Sequence, residues 1–332
     1  MDKKIKVGII GGAGYTAGEL CRLLVHHPQA TLTFIHSSSH AGHPLVDVHE
    51  GLIGDTDLCF TDQLPLDQVD VLFFCMGHGK SAQFLQEHEV PASVRIVDLA
   101  QDFRLAAPGN DYVYGLPELN RDSIAGALHV ANPGCFATAI QLALLPLAKA
   151  GLLTENVLVN ALTGSTGAGV KPSATTHFSW RSNNLSVYKV FRHQHVAEIR
   201  QSLTSLQPSF EEFDLDFIPY RGDFPRGIFA TAFLHTTADQ ATVDEAFAQF
   251  YASAPFTHYV AGRDIDLKQV VNTNKAIVHA EIYEGKLLVT SCIDNLLKGA
   301  SGQAVENMNL MFGIDQTAGL QLSRKAFNPN TF

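Results

Sequence analysis

Residues 5–36 read IKVGIIGGAGYTAGELCRLLVHHPQATLTFIH. The stretch opens on Ile5 to Ile10, a short apolar run rich in β-branched side chains, as a buried strand requires. GGAGYTAG follows, then a segment in which Leu20, Leu23, Leu24 and Val25 make an apolar helical face that stops near Pro28. Thr31 to His36 reads as the next strand. Strand, glycine turn, helix and strand are the opening half of a dinucleotide-binding unit. Gly11, Gly14 and Gly18 give GxxGxxxG, with Gly12 as an extra flexible point. Glycines serve such a turn because backbone N–H groups must approach a pyrophosphate at a helix start. The spacing departs from GxGxxG, so a plain tight turn is the alternative reading.

Outward from this unit the rhythm continues. Val69 to Cys75, Arg95 to Leu99 and Leu128 to Ala131 read as strands, and Ala82 to His88 as a helix, which predicts a mostly parallel sheet covered by helices. The Gly-, Pro- and Asn-bearing stretch 109–121 reads as loop. Ala137 to Lys149 is Ala/Leu-rich and helix-forming, closed by Gly151. Asn156 to Leu162 begins a second domain, and 163–184 reads as a long functional loop. Strands are expected over 186–190, 214–219, 228–236, 276–283 and 286–293, with a tight turn at Glu284-Gly285. Helices are expected over 195–206, 241–251 and 301–311. The second half is therefore α+β with an antiparallel or mixed sheet.

The 332 residues suit two domains, and 46% apolar residues supply their cores. A net charge of −10 argues against a nucleic-acid partner, which needs a positive field. Apolar runs are short and broken, so no membrane span is expected, and no signal segment precedes Ile5. The five cysteines are scattered and include no CxxC. A disulfide framework is not expected, and a reducing, cytoplasmic location is.

After the second strand comes Ser37-Ser38-Ser39, with no acidic residue to hold a ribose 2′-OH. A serine cluster accommodates a 2′-phosphate, which favours NADP(H); a polar loop is the alternative. Cys135 stands in Asn132-Pro133-Gly134-Cys135-Phe136, at a loop-to-helix junction where the helix field is expected to lower a thiol pKa. It is the candidate nucleophile; Cys21, Cys75 and Cys292 read as packing residues of a helix and two strands, and Cys59 has no chemistry beside it. His193 and His195 form an HxH pair, either of which suits proton transfer with a thiol, and Glu198 follows at a spacing that suits orienting His195. The pair lacks a third ligand at recognisable spacing, so no metal is expected. Arg192, Arg221 and Arg226 are candidates for a carboxylate or phosphate, with a surface turn as the alternative for the last two.

The motifs GGAGYTAGEL (Gly11 to Leu20), DLAQDFRL (Asp98 to Leu105), YGLPELNR (Tyr114 to Arg121), ANPGCF (Ala131 to Phe136), TGSTGAG (Thr163 to Gly169), YKVFRHQHVAEI (Tyr188 to Ile199) and DNLLKGASGQAVENMNLMFG (Asp294 to Gly313) run in order through nearly the whole chain. Together they resemble the N-acetyl-gamma-glutamyl-phosphate reductase family of the semialdehyde dehydrogenase superfamily. The resemblance implies a Rossmann-type parallel-sheet domain, here 1–134 plus 300–332, with an inserted α+β catalytic and dimerisation domain, here 135–299. It implies NADP(H), a small acyl-phosphate substrate, a cysteine thioester at Cys135, and acid/base chemistry at His195 with His193 in reserve. A homo-oligomer, dimer or tetramer, goes with it.

On the same resemblance Gly11, Gly12, Ala13, Gly14, Tyr15, Thr16, Ser37, Ser38, Ser39, Gly167 and Asn295 are expected at the cofactor. Arg104, Asn132, Ser165, Lys171, Arg221 and Arg226 are expected at the substrate. The chain departs from the usual pattern at Val170, where the family commonly has Arg, at Gln194 and Ala197 in the histidine motif, and in the lengthened stretch Pro219 to Gly227. These changes bear on the acyl group and leave Cys135 and His195 in place. N-succinyl-glutamyl, aspartyl and carrier-linked aminoadipyl phosphates are the alternative substrates. A nucleotide-binding sensor on the same fold is the non-enzymatic one, and it predicts loss of the Cys or the His motif.

Overall fold

The computed structural model describes residues 4–323. The chain alternates strand and helix at first: β1 (Ile5–Ile10), α1 (Tyr15–Leu24), β2 (Ala30–His36), β3 (Val71–Phe74), α2 (Lys80–Glu87), β4 (Arg95–Asp98), β5 (Val113–Tyr114), α3 (Pro117–Ala125) and β6 (His129–Ala131). Their strands form one parallel sheet in the order β2-β1-β3-β4-β6-β5. β2 and β3 leave β1 on opposite sides, so the crevice at the carboxyl end of β1 is the topological switch point. Gly11 lies there with φ +88°, and a Cβ on it would sit 2.9 Å from the Cys75 backbone, so only glycine makes this turn.

The chain then runs through α4 (Cys135–Lys149), β7 (Val157–Thr163), α5 (Phe178–Arg181), β8 (Ser186–Val187), α6 (His195–Leu206), β9 (Leu215–Arg221), β10 (Ile228–His235), α7 (Gln240–Phe250), β11 (Thr257–Tyr259), β12 (Ala276–Tyr283) and β13 (Lys286–Ile293). A mixed seven-stranded sheet results, ordered β11-β12-β13-β10-β7-β9-β8. β12 and β13 turn at Glu284 and Gly285, both left-handed, as a tight hairpin demands. The inner face of this sheet shares one core with α4, α6 and α7. A π turn, Leu297–Ser301, leads into α8 (Gly302–Met311), whose Ala304, Val305 and Met308 pack with β1 and α1 in the core of the first sheet.

The stretch 109–121 is not loop throughout. It contains β5 and the start of α3, whose first residue Pro117 uses its missing N–H where the helix has no acceptor to offer. α4 begins two residues earlier than Ala137, so Cys135 is its first residue. The expected helix 301–311 is preceded by the π turn. Of the stretches assigned to the first domain, residues 1–3 and 324–332 lie outside the described residues. Among the described residues no helix is long and apolar enough to cross a membrane.

Candidate active site

Two cavities meet over the β1 turn. One, of about 960 Å³, is lined by Gly11, Ala13 and Gly14 from the turn and by Ser37, Ser38, Ser39 and His40 from the end of β2. The other, of about 590 Å³, holds Cys135, His193, His195, Arg104, Asn132, Arg221 and Asn295. Gly14, Cys75, Met76, Gly77, Val170 and Lys171 line both. The donor set of the first suits a dinucleotide. α1 starts at Gly14 with no side-chain cap, so its N-terminal N–H groups are available, and a Cβ on Gly14 would meet nothing within 4 Å. Ser37, Ser39 and His40 bond one another at 2.8–3.4 Å, and no carboxylate intrudes in that cluster.

Cys135 opens α4 with Gly134 as an uncapped N-cap residue. Its thiol pKa is not lowered, as the helix-start position predicts, but pushed up to about 11. Burial is the cause; the Phe136 N–H and Arg104 pull the other way and lose. The resting group is therefore a thiol that needs a base. His195 is buried beside it: a Cβ on Gly134 would overlap the imidazole, so the ring lies against the residue before the thiol. Burial, with Arg104 next in weight, holds the His195 pKa well below the usual imidazole range, so the ring is neutral. Its Nδ1 has no hydrogen-bond partner among the described residues.

His193 takes a different position. Its ring packs edge-on against Phe136 and Phe217, centroids 5.4 Å away in each case, and its Nδ1 accepts the His195 N–H at 3.2 Å. Burial brings its pKa down to about 4. Glu198, one turn along α6, is buried and does more than orient His195. Its Oε2 accepts the Tyr114 hydroxyl at 2.8 Å and the Gly134 N–H at 3.1 Å, and its Oε1 accepts Arg104 at 3.2 Å. His195 Nε2 stands 3.8 Å from that Oε1, within ion-pair reach but beyond hydrogen-bond length. Glu198 thus fixes the turn that presents Cys135. The N–H groups of the first turn of α4 have no intrahelical acceptor, and they are the donors available to an oxyanion.

Comparison with known proteins fits this geometry. Residues 6–127 match the semialdehyde dehydrogenase NAD-binding domain, and residues 135–295 match the semialdehyde dehydrogenase dimerisation domain. N-acetyl-gamma-glutamyl-phosphate reductase of Bacteroides fragilis is 61% identical over 323 residues, covering 97% of this chain and 100% of the relative. The protein of that description from Parabacteroides distasonis is 58% identical over the same span. The chain belongs to the N-acetyl-gamma-glutamyl-phosphate reductase family. Candida albicans aspartate semialdehyde dehydrogenase, solved with NADP, shares the fold at a TM-score of 0.71 and 13% identity, over 93% of this chain and 98% of that one.

Within this member of the reductase family, the expected residues divide. Tyr15, Thr16, Gly167 and Asn295 line the Cys135 cavity, and Lys171 lines both cavities. Gly12 lines neither; its N–H bonds the His36 carbonyl at 2.8 Å and a side chain would strike Ile35, so it packs the turn on β2. Ser165 faces a third cavity of about 890 Å³ with Trp180 and His177. Arg104 lines the Cys135 cavity, yet it also donates to the carbonyls of Leu99 and Asn132, both at 2.9 Å, which makes it a fastener of loops. Asn132 is tied to Asn307 and the Ala300 carbonyl.

Arg226 is the clearest correction. It grips Asp294 through two bonds of 3.0 Å and Glu19 through one of 2.6 Å, outside the Cys135 cavity. Two carboxylates satisfy it, and no fork is left for a substrate. Arg221 does line the cavity, its guanidinium 4.6 Å above the Tyr188 ring and its Nε without a partner. Tyr188 and Tyr114 escaped the sequence reading as site residues, although both stand in the family motifs.

Proposed function

We propose that this chain reduces an N-acyl-gamma-glutamyl phosphate, with N-acetyl as the acyl group, to N-acyl-glutamate 5-semialdehyde and phosphate in arginine biosynthesis. The observation that carries the reading is Cys135 at the start of α4 with a neutral His195 packed on Gly134, in a cavity continuous with the β1 turn. His195 takes the Cys135 proton as Sγ attacks the gamma-carbonyl. Phosphate leaves, carrying that proton, and a thioester remains on Cys135. NADPH held by the β1 turn and Ser37 to Ser39 would supply the hydride that reduces the thioester. The first-turn N–H groups of α4 hold the oxygen as it gains charge, and its collapse frees the aldehyde. His195 then returns a solvent proton to Cys135.

His193, packed edge-on between aromatic rings, holds the α6 entrance and the His195 backbone instead. Ser37, Ser38 and Ser39 support a preference for NADP(H) over NAD(H), and Lys171 adds a cation at that cavity. Arg221 holds a substrate carboxylate; its free Nε in a buried setting supports that role. Two separate cores, one completed by α4 and the other by α8, support a domain division near 135 and 300. A homodimer through the outer face of the second sheet, over β7 and β13, is supported by exposed Leu158 and Leu288 on those strands. Five free thiols among the described residues suit a reducing cytoplasm.

The test is phosphate-dependent NADP reduction with N-acetyl- and N-succinyl-glutamate semialdehyde side by side, repeated with NAD. The N-acetyl substrate with NADP is expected to have the highest kcat/KM. A preference for the N-succinyl compound reassigns the acyl group, and a higher kcat/KM for aspartate semialdehyde, assayed beside them in the same way, overturns the reading.

A further inference from the structure

We infer that Asp264, His279 and Glu281 form a binding site for a divalent transition-metal ion of the zinc class, remote from the Cys135 cavity. His279 and Glu281 lie two apart on β12 and so face the same side of the sheet. Asp264 comes from the loop that follows β11. One ligand atom from each of the three lies within 4.8 Å of the others.

Three observations turn proximity into a site. His279 is only 8% exposed, and its Nδ1 donates to the Val260 carbonyl at 2.7 Å. That bond fixes the tautomer with a lone pair on Nε2, the arrangement that metal-bound histidines use. Next, neither carboxylate nor Nε2 has a hydrogen-bond or ion-pair partner among the described residues. Three unspent ligands converge where a structural role would have spent them on one another or on a lysine or arginine. Finally, two carboxylates with no cation between them repel, and a divalent ion removes that repulsion at zero net charge. One imidazole nitrogen and two carboxylate oxygens suit zinc, cobalt or manganese rather than a soft monovalent ion, and leave room for water as further ligand.

The site has a mechanical role. Val260, Ile265, Leu267 and Val270 of the loop fold over Cys292, Ile277 and Phe229 on the outer face of the sheet. The Asn272 N–H at the far end of the loop bonds Asp294, the carboxylate that Arg226 grips. An ion bridging Asp264 to β12 staples this loop and braces the strand end that carries Asp294.

The experiment titrates cobalt(II) and zinc into the full-length chain and into the D264N/E281Q double variant, whose near-isosteric exchanges keep both side chains polar. The wild type is expected to bind one ion per chain at this site, with a rise in Tm and without the intense sulfur charge-transfer band that ligation by a cysteine produces. The double variant is expected to bind that ion at least ~10-fold more weakly, with the Tm rise lost and the metal-free turnover unchanged. Equal binding by the two proteins overturns the inference, as does binding accompanied by the sulfur band alone, or no binding at about 1 mM metal.

Discussion

Cys135 joins two opposing effects that sequence position alone does not rank. The helix start stabilises a thiolate, and burial destabilises it; here burial wins and the thiol stands at about 11. Alkylation of Cys135 by iodoacetamide is therefore expected to rise with pH well beyond the range of a free cysteine, with a midpoint near 11. A midpoint below 8, followed by mass spectrometry of the labelled peptide, would show that the helix field dominates instead. Cys135→Ser is expected to lower kcat by ~100-fold or more while NADPH binding is kept, because a hydroxyl is a far weaker nucleophile. At the neighbouring pair, His195→Asn is expected to cost ~100-fold or more in kcat and His193→Asn less, since only the first ring lies on Gly134. Steady-state kinetics of the two variants decide it, and a larger loss at His193 exchanges their roles.

At the scale of elements, the two arginines flanking the lengthened turn separate cleanly. Arg226 belongs to a clamp joining α1, the turn before β10 and the end of β13. Arg226→Ala leaves the fully buried Asp294 without its cation, while Glu19 keeps Arg22 at 2.7 Å, and is expected to cost about 3 kcal/mol of stability with the acyl-substrate KM nearly unchanged. Arg221→Ala is expected to do the reverse, raising KM for the acyl substrate and leaving that for NADPH as it was. Denaturant melts and kinetics on both variants check the pair. Sequence alone placed both arginines together because both precede glycine in one turn; only the fold reveals which one finds carboxylates. The first βαβ unit was legible because its apolar periodicity and glycine turn agree, and the β12–β13 hairpin because alternation meets Glu-Gly. α3 was not, because Pro117 at a helix start reads as a breaker until its position is known. The pairing of Cys135 with the histidine motif rested on family motifs, since no local rule brings residues sixty apart into one cavity.

Across the whole molecule, the second sheet is covered on one face by helices and leaves Leu158 and Leu288 at 37% and 42% exposure on strands of the other. On the proposed homodimer, Leu158→Asp with Leu288→Asp is expected to lower the mass in light scattering from dimer to monomer, with each protomer still folded by circular dichroism. An unchanged mass would place the contact elsewhere. α8 has a separate consequence. All ten of its residues are buried, and it completes the core around β1 and α1, yet 170 residues of chain, 132–301, separate it from β6. During synthesis the nucleotide-binding sheet leaves the ribosome with that groove open and waits for its closing helix while the entire second domain is translated. At elongation speeds of roughly 5–20 residues per second the wait lasts on the order of 10–30 s. The nascent first domain thus exposes apolar surface for that whole interval, and a stop codon before residue 302 would release a chain whose first sheet has no finished core.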